Sequence, residues 1–301
     1  MKLELRDIRK RFGDKQVLRG VSFKTESGKA FGLLGRNGAG KTTTIRILMD
    51  VFSADQGEVL VDGDPTEYKF IRMGYLPEER GLYPKKKIID QLVYFAMLKG
   101  MTKRQAVESV DIWLKRLGMS QFRNKRLGTL SKGNQQKIQL ITALAHDPDV
   151  IILDEPFTGL DPVNAEALKE IVRDEIARDK IVIFSSHQMN YVEEFCDHIA
   201  ILNGGKIVLN GDLKAIKRDY PRNRLIVSSS QSDEIMAKYQ GESRRLDQDT
   251  ILLSLASPDD KQATMRQLVK KWDIDEIKVR EPSLNDIFVQ YVLVRSDDEA
   301  I

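Results

Sequence analysis

The segment GRNGAGKTT limits most strongly what this chain can fold into. Four residues fit the spacing G-x-x-x-x-G-K-[ST]: Gly35, Gly40, Lys41 and Thr42. Gly38 adds a further glycine inside the same loop. An apolar run, KAFGLLG, precedes the segment, and a helix-like run, TTTIRIL, follows it. This order of strand, glycine-rich loop and helix is typical of a phosphate-binding P-loop.

The loop predicts a nucleotide site because glycines let backbone N–H groups turn inward around an anion, and the following helix adds the positive end of its dipole. We expect Lys41 to reach the β- and γ-phosphates and the Thr42 hydroxyl to hold Mg²⁺. ATP and Mg²⁺ are therefore the expected cofactors. An ordinary glycine-rich turn is the alternative interpretation. The residues expected to bind nucleotide here are Gly35, Arg36, Asn37, Gly38, Ala39, Gly40, Lys41, Thr42 and Thr43.

Composition excludes several classes of protein. The 301 residues carry 48 basic and 45 acidic side chains, a net charge of +3, so nothing favours nucleic acid as a partner. Cys196 is the single cysteine and cannot form an internal disulfide. No run approaches the roughly 18 apolar residues of a membrane span, and MKLELRDIRKRFG lacks the apolar core of a signal peptide. We expect a cytoplasmic protein.

The pattern along the chain predicts two domains, at 1–213 and 214–301. The first starts with antiparallel strands, contains a helical subdomain at about 86–135, and then alternates helix and strand as a parallel sheet requires. The second reads β-α-β-β-α-β, the order of a ferredoxin-like unit, followed by a closing helix and the polar tail RSDDEAI. The predicted fold class is an α/β P-loop ATPase domain with an antiparallel β subdomain, a helical insertion and a small α+β C-terminal domain.

The segment VIILDEP predicts the acidic part of the site. Four apolar residues precede Asp154 and Glu155, so one carboxylate ends a buried strand and the next lies at the mouth of the site. We expect Asp154 to bind Mg²⁺ through water and Glu155 to polarise the attacking water. The alternative is a buried strand that simply ends in an acidic turn.

At this point the sequence closely resembles the ATPase subunit of an ATP-binding cassette (ABC) transporter. Further markers of that family occur in its order: the aromatic of RKRFG, then YLPEERGLYP, LSKGNQQK, FTGLDP and SSH. The resemblance covers about residues 1–213. The C-terminal domain, with EPSLNDIF, is similar to the extension of exporter-type members, including those linked to sodium or drug efflux.

The resemblance implies a head-to-tail dimer with two ATP molecules between the subunits. It implies that Phe12 stacks on adenine, and that Ser131 and Gly133 approach the γ-phosphate held by the opposite chain. It also implies that Asp161 lies where the subunits meet and that His187 contacts the γ-phosphate and the catalytic water. The alternatives are a core aromatic for Phe12, a helix cap for Ser131, a turn aspartate for Asp161 and a structural histidine for His187.

Two departures from the family pattern affect the site. Glu78 stands where most members have a glutamine that senses the γ-phosphate; a carboxylate there can still hold Mg²⁺ or water but adds negative charge beside ATP. Lys132 and Asn134 replace the glycine and glutamine of the usual LSGGQ. The Lys132 side chain either points between the subunits or into solvent.

The resemblance implies an Mg-dependent ATPase that powers an exporter. ATP closes the dimer, hydrolysis reopens it, and a separate transmembrane permease subunit moves the cargo and holds this chain at the inner face of the membrane. Its partners are then the permease and a second ATPase subunit. The alternative is a soluble ABC ATPase acting on nucleic acid or ribosomes, a class that usually has two cassettes or a long coiled-coil insertion. A non-catalytic cassette is disfavoured by intact Lys41, Glu155 and His187.

Overall fold

The computed structural model describes residues 1–65, 70–79 and 81–293. Contacts between residues divide this part of the chain into two compact units, with the boundary after Leu213. The predicted polar tail lies outside the described residues. Within them, no helix combines the length and apolar character needed to cross a bilayer.

An antiparallel sheet opens the first unit, in the strand order β2-β1-β4. Its strands are β1 (Lys2–Phe12), β2 (Lys15–Glu26) and β4 (Gln56–Val61). Apolar side chains alternate with polar ones along β1, and this alternation buries one face of the sheet. The predicted antiparallel start of the chain is confirmed.

A six-stranded sheet forms the centre of this unit, in the order β5-β6-β7-β3-β8-β9. All neighbours pair in parallel except β8 and β9, which form an antiparallel hairpin. The strands β3, β6 and β7 are buried at every position, as expected for a sheet covered on both faces. The strands are β3 (Ala30–Gly35), β5 (Met73–Leu76), β6 (Val150–Asp154), β7 (Ile181–Ser186), β8 (His198–Asn203) and β9 (Lys206–Asp212).

Helices of the first unit follow the predicted alternation. They are α1 (Lys41–Leu48), α2 (Ile88–Leu98), α3 (Lys103–Arg116), α4 (Lys132–Leu144), α5 (Pro162–Ala177) and α6 (Met189–Phe195). The predicted helical subdomain contains α2, α3 and two single-turn 3₁₀ helices, and it ends as α4 begins. Because parallel strands end at the same edge of a sheet, the loops after β3, β6 and β7 meet there.

The second unit has the strand order β11-β12-β10-β13, and all of its neighbouring strands are antiparallel. With helices after its first and third strands, this is the predicted ferredoxin-like arrangement. A compact apolar core includes Leu225, Ile251 and Leu268. The elements from the boundary onward are α7 (Leu213–Asp219), β10 (Arg224–Ser228), α8 (Ser232–Lys238), β11 (Ser243–Arg245), β12 (Thr250–Ser254), α9 (Lys261–Lys271), β13 (Glu276–Val279) and α10 (Leu284–Leu293).

Candidate functional site

A cavity of about 450 Å³ lies where the glycine-rich loop after β3 meets the ends of neighbouring strands. Most residues predicted to bind nucleotide or metal, and two of the three predicted catalytic residues, line this single cavity. They are Arg36, Asn37, Gly38, Gly40, Lys41, Thr42, Thr43, Glu78, Asp154 and Glu155. The structure therefore brings these predicted residues together around one cavity, and their roles in binding and catalysis stay predictions.

Glycine is required in the loop at two positions for different reasons. Gly40 has φ 112°, and a side chain there would lie 2.6 Å from Leu18 Cδ2. A Cβ at Gly35 would lie 2.5 Å from the backbone oxygen of Leu202. Glycine is favoured at Gly40 by the left-handed backbone and at Gly35 by the close approach of another backbone. The loop consequently reaches α1, whose first backbone N–H groups lack partners within the helix and face the ligand-binding end of the sheet.

Lys41 supplies a buried cation at the cavity wall. Its side chain is 8% exposed, and its Nζ donates to the backbone oxygens of Gly35 at 2.7 Å and Arg36 at 3.4 Å. Burial lowers the pKa of Lys41, while the nearby carboxylates of Glu155, Asp154 and Glu78 oppose that shift. An anion entering the loop would give the ammonium group a stronger partner than two carbonyls.

Asp154 ends β6 as a nearly buried carboxylate. The Tyr75 hydroxyl donates to its Oδ2 at 3.3 Å. Burial raises the pKa of Asp154, because removal from water disfavours its charged form. The hydroxyl of Thr42 and the carboxylate of Glu78 line the same cavity. These are the hard oxygen ligands that Mg²⁺ prefers, and one or two carboxylates beside phosphate and water suffice for it.

Glu155 is more deeply enclosed than its predicted place at the mouth of the site. Its side chain lines the cavity but is only 4% exposed, and its backbone has φ 49°. Oε2 accepts a hydrogen bond from the Ser186 hydroxyl at 2.9 Å. Oε1 accepts one from the His187 backbone N–H at 2.9 Å and lies 2.6 Å from His187 Nδ1. These donors at the end of β7 satisfy the carboxylate, which explains why it can be buried.

His187 therefore contacts the predicted catalytic carboxylate directly. Its side chain remains 54% exposed and does not line the cavity itself. The structure brings together four residues at the carboxyl ends of three strands of one sheet, β3, β6 and β7: Lys41, Asp154, Glu155 and His187. Gly35 and Ala39 contribute through the backbone: Gly35 accepts from Lys41, and Ala39 accepts from the Gly205 N–H at 3.2 Å.

A second group of predicted residues does not line this cavity. Ser131 caps α4, where its hydroxyl accepts from the Asn134 N–H at 3.4 Å. Asp161 caps α5, where its Oδ1 accepts from the Asn164 N–H at 2.9 Å. Gly133 lies against Asn164, since a Cβ on this glycine would be 2.9 Å from Asn164 Nδ2. The N-termini of α4 and α5 therefore contact each other, and they contain the three predicted residues Ser131, Gly133 and Asp161.

Phe12 lies at the end of β1 and outside the cavity lining. Its side chain is 48% exposed, so it is no ordinary core aromatic. The ring packs edge to face on Phe52 with centroids 5.5 Å apart, and Lys10 Nζ lies 5.6 Å from both ring centroids. This arrangement leaves a rigid aromatic surface available to a ligand.

The sequence prediction missed part of the cavity lining, which comes from the start of β2 and from the turn between β8 and β9. Gly205 in that turn accepts from the Arg19 N–H at 2.8 Å, and a Cβ on it would lie 2.2 Å from the Val17 oxygen. The dipeptide Gly204-Gly205 marks a turn in the sequence but not its neighbour in space. The missed residues are Lys15, Gln16, Val17, Arg19, Gly204 and Gly205.

Comparison with protein families gives two matches in this chain. Residues 18–158 match the model described as ABC transporter. Residues 211–292 match the model described as ATP-binding protein DrrA1-3-like, C-terminal domain.

Several known proteins are similar to this chain. The "Uncharacterized ABC transporter ATP-binding protein YhaQ" of Bacillus subtilis (strain 168) is 43% identical over 292 residues, which cover 96% of this chain and 98% of that protein. The "ABC transporter ATP-binding protein NatA" of the same organism is 36% identical over 71% of this chain and 91% of its own length. The "Nod factor export ATP-binding protein I" of Burkholderia lata is 34% identical over 69% of this chain and 70% of its own length.

Solved structures agree on the fold of the first unit. One described as "Structure of ATP binding subunit of ABC transporter" has a TM-score of 0.66 and 29% identity, covering 72% of this chain and 92% of its own. Another, described as the ADP conformation of MJ1267, an ATP-binding cassette of an ABC transporter, has a TM-score of 0.62 at 23% identity. It covers 71% of this chain and 92% of its own, and it supports the fold alone.

Proposed function

The chain belongs to the ATP-binding subunits of ABC transporters, and from that premise we propose that it powers an exporter through ATP-driven, head-to-tail pairing of two such subunits. Binding and hydrolysis of ATP are the activities of this family. One observation carries the assignment of individual residues: Lys41, Asp154 and Glu155 converge on one cavity beneath the glycine-rich loop.

In the proposed complex, the loop surrounds the phosphates of ATP. Lys41 exchanges its two carbonyl contacts for the β- and γ-phosphates, and the start of α1 contributes N–H groups to the same anion. Phe12 stacks on the adenine ring, using the exposed part of its side chain. The cations of Lys15, Arg19 and Arg36 line the cavity and add attraction for a polyanion.

Thr42, Asp154 and Glu78 are the residues that would hold Mg²⁺, which would stabilise negative charge on the phosphates. Glu155 orients and polarises the attacking water with the carboxylate oxygen that His187 contacts. His187 holds that carboxylate in place and extends toward the γ-phosphate. Burial of Glu155 fixes its orientation before substrate arrives.

The proposed dimer gives a role to three predicted nucleotide-binding residues that do not line the cavity. Ser131, Gly133 and Asp161 sit together at the starts of α4 and α5. In a head-to-tail pair these groups face the nucleotide held by the opposite subunit. We expect a transmembrane permease as the other partner, which would hold the chain at the inner face of the membrane.

Export is favoured over import by two similarities. NatA and the Nod factor export protein are 36% and 34% identical to this chain over the aligned regions, and one is named for export. The C-terminal residues match a family named for DrrA-like ATP-binding proteins. A role on nucleic acid or ribosomes is not favoured, because the relatives are transporter ATP-binding proteins and the net charge is only +3.

The substitution Glu155→Gln tests the proposal. The amide preserves shape but cannot polarise water, so ATP should bind, hydrolysis should stall, and a dimer should accumulate in size-exclusion chromatography with ATP. Adding Lys41→Ala to this variant is the control and should abolish the dimer. A Glu155→Gln variant that stays monomeric at saturating ATP would contradict the head-to-tail arrangement.

A further inference from the structure

Asn164 joins two groups that the proposed function assigns to the nucleotide of the opposite subunit. It is the third residue of α5, and its backbone N–H donates to Asp161 Oδ1 at 2.9 Å. Its side-chain Nδ2 donates to the other carboxylate oxygen, Oδ2. Both oxygens of Asp161 are therefore held by one residue, which fixes the plane of the carboxylate.

The same amide nitrogen lies against Gly133 at the start of α4. A Cβ built on Gly133 would be 2.9 Å from Asn164 Nδ2 and 3.7 Å from Asp161 Oδ2. Real Cβ atoms do not approach a neighbour so closely, so the glycine is what lets the amide sit between the two helices. A second tie runs nearby, because Gln136 Nε2 on α4 donates to the Pro156 oxygen at 3.1 Å.

We propose that Asn164 is a positioning residue that locks Asp161 and Gly133 of one chain into a single unit, which is then presented to the ATP of the partner subunit. The inference rests on the proposed head-to-tail dimer. It adds a link within one subunit between the LSKGN segment at the start of α4 and the GLDP segment at the start of α5. Asn164 does not touch ATP; it acts through Asp161 and Gly133.

The competing explanation is that Asn164 only completes the cap of α5. A matched case exists elsewhere in the chain: Gln105 is the third residue of α3 and closes a capping box with Thr102. Its Oε1 accepts from the Thr102 N–H at 2.9 Å, and its backbone N–H donates to the Thr102 hydroxyl at 3.3 Å. Gln105→Ala therefore removes the same kind of capping contact away from the proposed subunit interface.

The test measures ATP-driven dimerisation by analytical ultracentrifugation in the full-length chain carrying Glu155→Gln. We expect Asn164→Ala to weaken the dimer about tenfold, since one hydrogen bond to a charged group is typically worth this much. ATP binding to the monomer, followed with a fluorescent ATP analogue, should not change. Gln105→Ala should lower the melting temperature about as much as Asn164→Ala does, but its dimer affinity should equal that of the parent.

Asn164→Asp separates the two explanations more sharply. The substitution keeps the shape and places a carboxylate in the first turn of α5, where the helix dipole favours it. Its carboxylate faces that of Asp161, however, so the pair repels and Asp161 is displaced. We expect a weakened dimer and a loss of dimer affinity that shrinks as salt screens the repulsion. Because the helix dipole favours the new carboxylate, the melting temperature should fall no further than in Asn164→Ala.

Three results would overturn the inference. The first is parental dimer affinity in both Asn164 variants, and the second is an equal loss of affinity in Gln105→Ala. The third is a parent that remains monomeric with ATP, which would refute the proposed dimer and the inference together. The first two leave the proposed dimer standing, so the failures are distinguishable.

Discussion

At the scale of single residues, the site buries two carboxylates but gives them unequal numbers of hydrogen-bond donors. Glu155 is buried but receives donors from Ser186 and His187. Asp154 is buried, the Tyr75 hydroxyl donates to it at the long distance of 3.3 Å, and burial raises its pKa. A buried carboxylate with few donors is destabilising in the free protein, which is consistent with a group reserved for a cation.

Asp154→Asn should therefore stabilise the nucleotide-free chain at neutral pH. Because the pKa of Asp154 is higher in the folded state, the folded protein binds more protons than the unfolded one in the affected range. The free energy of unfolding of the natural chain thus falls as pH rises through that range, and the neutral amide avoids this loss. Urea unfolding at pH 7 should show a higher midpoint for Asp154→Asn than for the natural chain. The difference between the two midpoints should be smaller in acid.

The side-chain hydroxyl of Tyr75 can still donate to the amide oxygen in this variant, so shape is a small factor. A lower unfolding midpoint for Asp154→Asn at pH 7 would contradict the account of Asp154. Hydrolysis should be lost in the same variant, because the proposed Mg²⁺ ligand is gone.

At the scale of elements, contacts between β5 and the end of α4 hold another buried ionisable group. His146 follows α4, is 4% exposed, and bonds through Nε2 to the Met73 oxygen at 3.0 Å. Its Nδ1 has no hydrogen-bond partner among the described residues. Burial lowers the pKa of His146 to about 4, because the charged ring would have no water around it.

This histidine should make the first unit sensitive to acid. In the folded state the pKa of His146 is about 4, whereas the unfolded chain binds the proton near the ordinary histidine pKa of 6.5. The contribution of His146 to the free energy of unfolding is therefore highest above pH 6.5, where the ring is neutral in both states. It declines as pH falls toward 4, by about 3 kcal/mol in total. His146→Gln keeps a donor for Met73 and does not titrate.

Chemical denaturation at pH 7.5 and at pH 4 measures the effect. The natural chain should lose about 3 kcal/mol more free energy of unfolding between these values than His146→Gln. Equal losses in the two proteins would show that His146 does not govern acid stability.

Most elements could be predicted from sequence because their patterns are local. The alternating run of β1, the apolar strand before Asp154 and the helical spacing of α2 and α3 each identify an element without knowledge of its neighbours. The ferredoxin-like order of the second unit followed from the same reasoning.

What the sequence did not reveal depends on contacts between distant segments. Gly205 and Val17 are separated by most of the first unit, yet a Cβ on Gly205 would clash with the Val17 oxygen. The left-handed backbone of Glu155 has no sequence signature, because any residue can be forced into it by its surroundings. Asn164 resembles an ordinary helix-start residue until Gly133 of another helix is placed beside it.

At the scale of the whole molecule, we propose that 1–213 and 214–301 are separate domains and that nucleotide binding belongs to the first. The cavity is lined only by residues of the first unit. A chain truncated after about residue 215 should bind ATP with the affinity of the full chain, measured by calorimetry. Loss of ATP affinity in a truncated chain that is soluble and folded would refute this division.

ATP hydrolysis in the cavity beneath the glycine-rich loop should depend on Lys41. Phosphate release from the full chain with ATP and Mg²⁺ measures it directly, with Lys41→Ala as the variant and Lys24→Ala, an exposed lysine of β2, as the control. We predict saturable hydrolysis by the natural chain and by Lys24→Ala, and none above background for Lys41→Ala. Near-normal turnover by Lys41→Ala would contradict the account.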